Sequence, residues 1–283
     1  MKKKGQGVEY VRVADHYFEK RGLRRYAGVW SLWALGVGAV ISGDFFGWNF
    51  GLAAGGFGGL LIATLIITVM YAGLCFSIAE MSAALPHTGG AYSFARSAMG
   101  PWGAYITGLA ENMEYILTPA VIVVGIGGYL GAIFETPAFW VTAIPHFDME
   151  WALNIEPEPG QSRWLPRGPS GILSALPFAI WFFLAIEQLP LAGEEAHTPA
   201  RDLPRGLLYG LLTLIVAAFL TLFLNAGIAP GSQALGSSAE PLFEGFKTIF
   251  GAGLGAKALA LVAVTGLIAS FHSIIFAYGR QIF

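Results

Sequence analysis

Four acidic residues stand in stretches of this 283-residue chain that are otherwise apolar: Asp44, Glu111, Glu114 and Glu187. Asp44 lies within GVGAVISGDFFGWNFG and is the sole charge between Tyr26 and Ala79. A charge at the centre of a bilayer costs at least ~2.5–3.5 kcal/mol on insertion scales, so such a group usually sits in a cavity, is paired, or is neutral. Gly36, Gly38, Gly43, Gly47 and Gly51 surround Asp44. Glycine in an apolar helix serves either close packing or departure from helical geometry. At Ser42-Gly43-Asp44 two readings have equal support. One is an interrupted helix whose released carbonyls face a substrate cavity. The other is a structural aspartate bonded to a polar neighbour. The series Gly47, Gly51, Gly55 and Gly59 has the four-residue spacing of helix packing. Glu111 and Glu114 share a helix face. They are a candidate substrate or proton site, or acids near a water layer marked by Trp102. Phe45, Phe46 and Trp48 follow Asp44, and Trp181, Phe182 and Phe183 precede Glu187. An ammonium over an aromatic face gains ~0.5–2 kcal/mol. Rings beside a buried carboxylate therefore point to a small organic cation.

Other chemistry finds little support. The single cysteine, Cys75, excludes a disulfide framework and a Cys-rich metal site. No metal set and no nucleophile–base pair emerges, so neither a cofactor nor an enzymatic activity is expected. The glycine runs GGFGG and GIGG follow no strand and are not phosphate loops; both fall inside apolar spans. His272 reads as a hydrogen-bonded packing residue. Glu80, Glu194 and Glu195 fall at span ends, where interfacial solvation is the plain expectation.

These side chains need elements to hold them. The chain is 55% hydrophobic and 12% charged, against about 25% charged for a soluble domain. Its solvent is the lipid bilayer. Six segments reach the ~20 apolar residues a crossing helix needs: roughly 27–48, 51–79, 102–134, 171–193, 206–229 and 254–278. Lys and Arg fix the orientation. Eight of the 16 fall in the arm at 1–25, and Arg96, Arg201, Arg205 and Arg280 share its side. Arg163, Arg167, Lys247 and Lys257 lie opposite. Both termini are thus expected to be cytoplasmic, and the basic arm to mark that side and not a nucleic acid partner. The first apolar run is long and has no small-residue cleavage site, so it reads as a retained span. The domain reading is an arm (1–25), three helices (26–134), a Pro-rich acidic extracytoplasmic loop (135–170) and three further helices (171–283).

Longer motifs carry a resemblance. GVWSLWALGVGAVISGDFFGWNFGL (28–52) resembles the first span of the ethanolamine permeases, a branch of the amino acid–polyamine–organocation (APC) transporters. AEMSAALPHTGGAYSFARSAMGPWGAYITGLAENMEY (79–115) is similar to the end of the family's second span, the inner loop and the third span. FFLAIEQLPLAGEEAHTPARDLPRG (182–206) is similar to the sixth span and its loop, and SFHSIIFAYGRQIF (270–283) to the eighth. The superfamily resemblance rests on long collinear motifs; the ethanolamine branch rests on SGDFFGWNFG and ENMEY.

The resemblance implies an all-α, leucine-transporter-like membrane fold, present here as about six of twelve helices, with the first and sixth broken around a central site. Ile41, Ser42, Gly43 and Asp44 match the first break; Phe183, Leu184, Ala185, Ile186 and Glu187 match the second. Ala185 stands where the family has glycine. The fourth and fifth spans are missing at Phe139-Trp140-Val141, and the ninth to twelfth beyond Phe283. The implied function is a secondary transporter of the inner membrane moving a small primary amine, ethanolamine foremost, by alternating access. The coupling ion is not specified. Asp44 would supply the counter-charge, carbonyls near Ile41 and Ser42 would accept from the ammonium, and Phe183 with a neighbouring ring would close over it. Amino-acid-binding relatives offer free amides to a substrate carboxylate at the first break, which Asp44 would repel. The alternatives are an amino acid permease of the same superfamily and a non-transporting membrane fragment or partner subunit.

Overall fold

The computed structural model describes residues 25–85, 89–133, 144–250 and 254–282. Most of the basic arm and the junction at Phe139-Trp140-Val141 lie outside the described residues. Lipid offers the backbone no hydrogen-bond partners, so a chain of this composition satisfies its amides within helices. In order these are α1 (Val29–Val40), α2 (Ser42–Phe45), α3 (Phe50–Ala84), α4 (Gly90–Ile133), α5 (Met149–Ala152), α6 (Gly168–Ala179), α7 (Pro199–Ala226), α8 (Ser232–Leu235), α9 (Pro241–Phe250) and α10 (Leu254–Ile282). Tighter 3₁₀ segments lie at Ile144–His146, Ile180–Phe182 and Ile186–Glu195. Among the described residues, five stretches are long and apolar enough to cross a bilayer: Phe50–Ala84, Gly90–Ile126, Gly168–Glu195, Pro199–Ala226 and Ala260–Arg280. The other expected crossing is a shorter apolar piece, Val29–Phe45, interrupted at Ile41.

The interruption has a cause in the sequence. α1 runs out at Val40, α2 lasts one turn, and Phe46 is extended (φ −159°, ψ 148°) before helix resumes at Phe50. Gly43 sits where this broken segment meets the one after α6. A Cβ built there would fall 1.7 Å from the Trp181 carbonyl oxygen. Only a residue without a side chain lets the two backbones come so close.

The span expected at 51–79 is revised by its start. Gly56 has φ +70°, and a Cβ on Gly51 would lie 2.6 Å from Leu60 Cδ1. In a straight helix nine residues separate two atoms by ~13 Å along the axis. The chain therefore doubles back at Gly56: Phe50–Gly55 closes the first crossing and Phe57 opens the second. The glycine run is the turn of this hairpin, seated against Pro166 and Trp164, and not part of one continuous span. The four-residue glycine series is thus divided between two arms, although Gly55 still packs closely on Gly171. α4 is likewise kinked, at Gly100 (φ +74°) before Pro101.

The second break follows α6. The chain tightens over Ile180–Phe182, and Ala185 takes a left-handed conformation (φ +86°), the one non-glycine residue with positive φ among those described. Ile186–Glu195 then stays tightly wound; Pro190 within it cannot donate the bond an α-helix needs. An L-residue held in the left-handed region costs about 1–2 kcal/mol. Ala185→Gly is thus expected to raise the thermal unfolding midpoint in detergent by an amount worth about 1 kcal/mol. No gain would mean that the left-handed geometry is not held in the folded protein.

The helices pair α3 with α6, α4 with α10, and α1 with α7. In lipid this association rests on close contact and internal hydrogen bonds, since tails are as apolar as leucine. The loop described from Ile144 to Arg167 caps one end. Asp148 N–H donates to the Gly227 carbonyl, and Asn154 bridges Pro230 O and Gln233 N–H.

Candidate functional site

The first cluster forms where the breaks meet. Asp44 is 1% exposed. Its Oδ1 accepts a 3.3 Å bond from the Thr221 hydroxyl of α7, and its main-chain carbonyl accepts from Trp48 Nε1. Asp44 Oδ2 has no hydrogen-bond partner among the described residues. On the other side of the break, the Ser270 hydroxyl of α10 donates to the Ala39 carbonyl and lies 2.8 Å from the Ser42 hydroxyl. Ile41, Ser42, Gly43 and Asp44 therefore touch three other crossings: α7 through Thr221, α10 through Ser270, and the α6 break through Trp181. Both readings of Asp44 find a feature here: the helix is broken, and a polar neighbour is present that satisfies half of the carboxylate.

Phe182 and Phe183 hold the second break in place. Phe182 stacks on Trp48 (5.5 Å between centroids, 26°), and Phe183 packs at a tilt on Tyr71 (5.4 Å, 30°). Both are fully buried. Phe183 thus covers Tyr71 of α3 in this conformation, and Trp48 is the ring that brackets the first break.

The remaining candidates gather in a second cluster. Gln188 Nε2 donates to Glu114 Oε1 (3.2 Å). Glu187 is within electrostatic reach of Glu114 and Glu111, and acts on Tyr71 and Cys75. The acids on α4 and after the second break, read separately along the chain, are thus brought near one another, with Gln188 bonding Glu114 from the residue next to Glu187. Thr221, Ser270, Tyr71 and Gln188 escape a reading of the sequence; single Ser, Thr or Gln residues in apolar runs carry no signal until their neighbours are known.

A cavity of about 390 Å³ enters from the Tyr26 end, lined by Tyr26, Ser31, Leu35, Glu195, His272 and Phe276 among others. Asp44 is not among the residues that line it. His272 is an exposed rim residue and not a packed one, its Nδ1 2.8 Å from the Ile268 carbonyl. Glu195 also departs from expectation. It is buried, paired with Arg280, and accepts from the Tyr26 hydroxyl at 3.0 Å. That bond pushes the Tyr26 phenol above its ordinary range and keeps it a donor. The Glu195 carbonyl takes the Tyr26 and Ala27 amides, and His197 N–H returns a bond to Ala27 O. Glu80 is exposed, as expected at a span end.

Comparison with known proteins agrees with this architecture. Two sequence models described as amino acid permease match, one over residues 31–148 and the other over 137–283. Among curated relatives, an uncharacterized transporter of Rhizobium meliloti (strain 1021) is 28% identical over 82% of this chain and 59% of its own length. The branched-chain amino acid permease BcaP of Bacillus subtilis (strain 168) is 25% identical over 77% and 58%. The methylthioribose transporter of the same organism is 21% identical over 94% and 68%. The chain spans about three fifths of the length of the first two. With two permease models covering it almost end to end and an all-helical, membrane-length architecture, the chain belongs to the amino acid permease family of the APC superfamily, and its fold is a partial APC fold.

Proposed function

We propose that this chain handles a small primary amine, ethanolamine foremost, in a secondary transporter of the inner membrane, with both termini cytoplasmic. The observation that carries the reading is Asp44: a carboxylate closed off from water in a broken crossing, with one oxygen unpartnered. An ammonium there gains a counter-charge, but the expectation of free carbonyls at Ile41 and Ser42 is corrected: they already accept the Asp44 and Phe46 amides, so each offers the ammonium its second lone pair alone. The end of the preceding half-helix adds negative potential. Gly43 and Ala185 set the approach of the two breaks, and Phe183 and Glu187 lie on the second. In the conformation described, the site is occluded. The amine would leave through the cavity at the Tyr26 end once the breaks part.

An amino acid substrate is the second reading. It is supported by the family itself and by a relative named as a branched-chain amino acid permease. Its difficulty is chemical, since the substrate's own carboxylate would approach Asp44. The coupling ion is no part of this reading.

Binding of labelled ethanolamine and of labelled leucine to the purified chain separates the two. Ethanolamine is expected to bind, and Asp44→Asn to weaken it by about 10- to 100-fold, the worth of one charge-assisted bond. Leucine binding that survives Asp44→Asn, with no ethanolamine binding, would favour the amino acid reading. Ethanolamine binding undiminished in the variant would remove Asp44 from the site.

A further inference from the structure

The second acidic cluster shares Glu187 with the second break, but its other groups lie outside the amine reading, and they come from three elements. α4 contributes Glu111, Glu114 and Tyr115; the segment after the second break contributes Glu187 and Gln188; α3 contributes Tyr71 and Cys75. The side-chain groups acting most strongly on Glu187 are Glu114 and Glu111, both carboxyls. Two carboxylates held together out of water need a positive partner.

Gln188 indicates which partner. It is 6% exposed, and its amide nitrogen is spent on Glu114. Its Oε1 has no donor among the described residues, and neither has Glu187 Oε2. Backbone N–H groups of Ala185 and Glu187 act on the Glu187 carboxyl, yet these two oxygens still lack a donor. Gln188 also lines a void of about 10 Å³, with Gly36, Ala39, Ala185 and Ser273, about the room one water needs. That is too little for an organic ammonium, and no group of His, Cys, Asp or Glu among the described residues is arranged to hold a metal ion. The void shares Leu35, Ser273 and Phe276 with the large cavity at the Tyr26 end, so water reaching one is a side chain away from the other.

We propose that Glu114, Gln188 and Glu187 form a proton-binding site, separate from Asp44 and supplied from the Tyr26–Glu195 end of the chain. The void reaches the site at Gln188 and neither acid lines it, so a proton from its water passes Gln188 to bind a carboxylate oxygen of Glu114 or Glu187. The resulting O–H supplies a donor to the unpartnered oxygens, and the negative charge of the pair falls by one. Nothing else needs to enter. Gln188 is the positioning residue: it holds Glu114 beside the segment that carries Glu187, its neighbour in the chain.

Infrared difference spectroscopy on the membrane-reconstituted chain tests this in an Asp44→Asn background. There the amine site is silenced, so failure of the amine reading and failure of this one are told apart. The parent is expected to show a protonated-carboxyl C=O absorption that titrates between mildly acid and mildly alkaline pH. Glu114→Gln and Glu187→Gln should each displace the titration. The double variant should lose it, with about one proton fewer released per chain. Gln188→Leu should displace the midpoint while leaving the proton count unchanged. If the double variant does not fold, the two single variants decide. A carboxyl absorption unchanged in all variants, or absent from the parent throughout that range, would overturn the proposal.

Discussion

Gly43→Ala is expected to yield a chain that cannot bring its two broken crossings together. The added Cβ would lie 1.7 Å from the Trp181 carbonyl oxygen and 2.6 Å from its carbon, where real Cβ contacts stay beyond 3.0 Å. The obstacle is backbone, so no rotamer change relieves it. The α6 break would have to retreat by more than an ångström, taking with it the Phe182–Trp48 stack and the Thr221–Asp44 bond. Overpacking in a core typically costs 1–3 kcal/mol and occasionally more; here a loss of at least about 3 kcal/mol is expected. Thermal unfolding in detergent is the measurement. Gly28→Ala and Gly73→Ala are the controls, since a Cβ at either position meets nothing within 4 Å. If Gly43→Ala unfolds at the same temperature as those two, the close crossing of the breaks is wrong.

Asn49→Ala carries the other large effect. The side chain is fully buried and closes three bonds. Oδ1 accepts Gly47 N–H at 3.1 Å, and Nδ2 donates to the carbonyls of Leu235 (2.7 Å) and Ser238 (2.9 Å). One amide thus ties the irregular end of the first break to α8, nearly two hundred residues away in sequence. Each buried group left without a partner costs about 1–3 kcal/mol, so a total near 3 kcal/mol is expected after some rehydration at Ser238. Asn49→Asp keeps the size and the acceptor but gives up both donated bonds, and should be nearly as damaging. Hydrogen exchange localises the loss: amides of 231–238 should exchange faster in both variants. Destabilisation with unchanged exchange there would mean that Asn49 acts only as filling.

The two breaks were legible to different degrees. At the first, glycines and a lone acid within one apolar run marked the place, although an interrupted helix and a structural aspartate had equal support there. At the second, the residue that opens the chain is Ala185, whose type gives no warning; only resemblance pointed there. The hairpin at Gly56 was hidden for a related reason. GGFGG is as apolar as the arms on either side, so hydropathy runs through a reversal without registering it. Glu195 looked like a solvated end residue because its partner Arg280 lies 85 positions away, and proximity in space has no trace in a single sequence. Thr221 sits in the apolar run LLTLIVAAFLTLFLNA, where a threonine satisfied by its own helix would look the same. Thr64 does that, bonding Leu60 O.

The knot around Glu195 has a mechanical meaning. One residue's carboxylate and carbonyl grip the lead-in to α1 through Tyr26 and Ala27 and the tail of α10 through Arg280, while its own segment descends from the second break. Three crossings are pinned at a single rivet. Separating any one of them from Glu195 breaks a bond to the anchor that the others share. Widening at this end has to exchange the protein partners of one buried carboxylate for water.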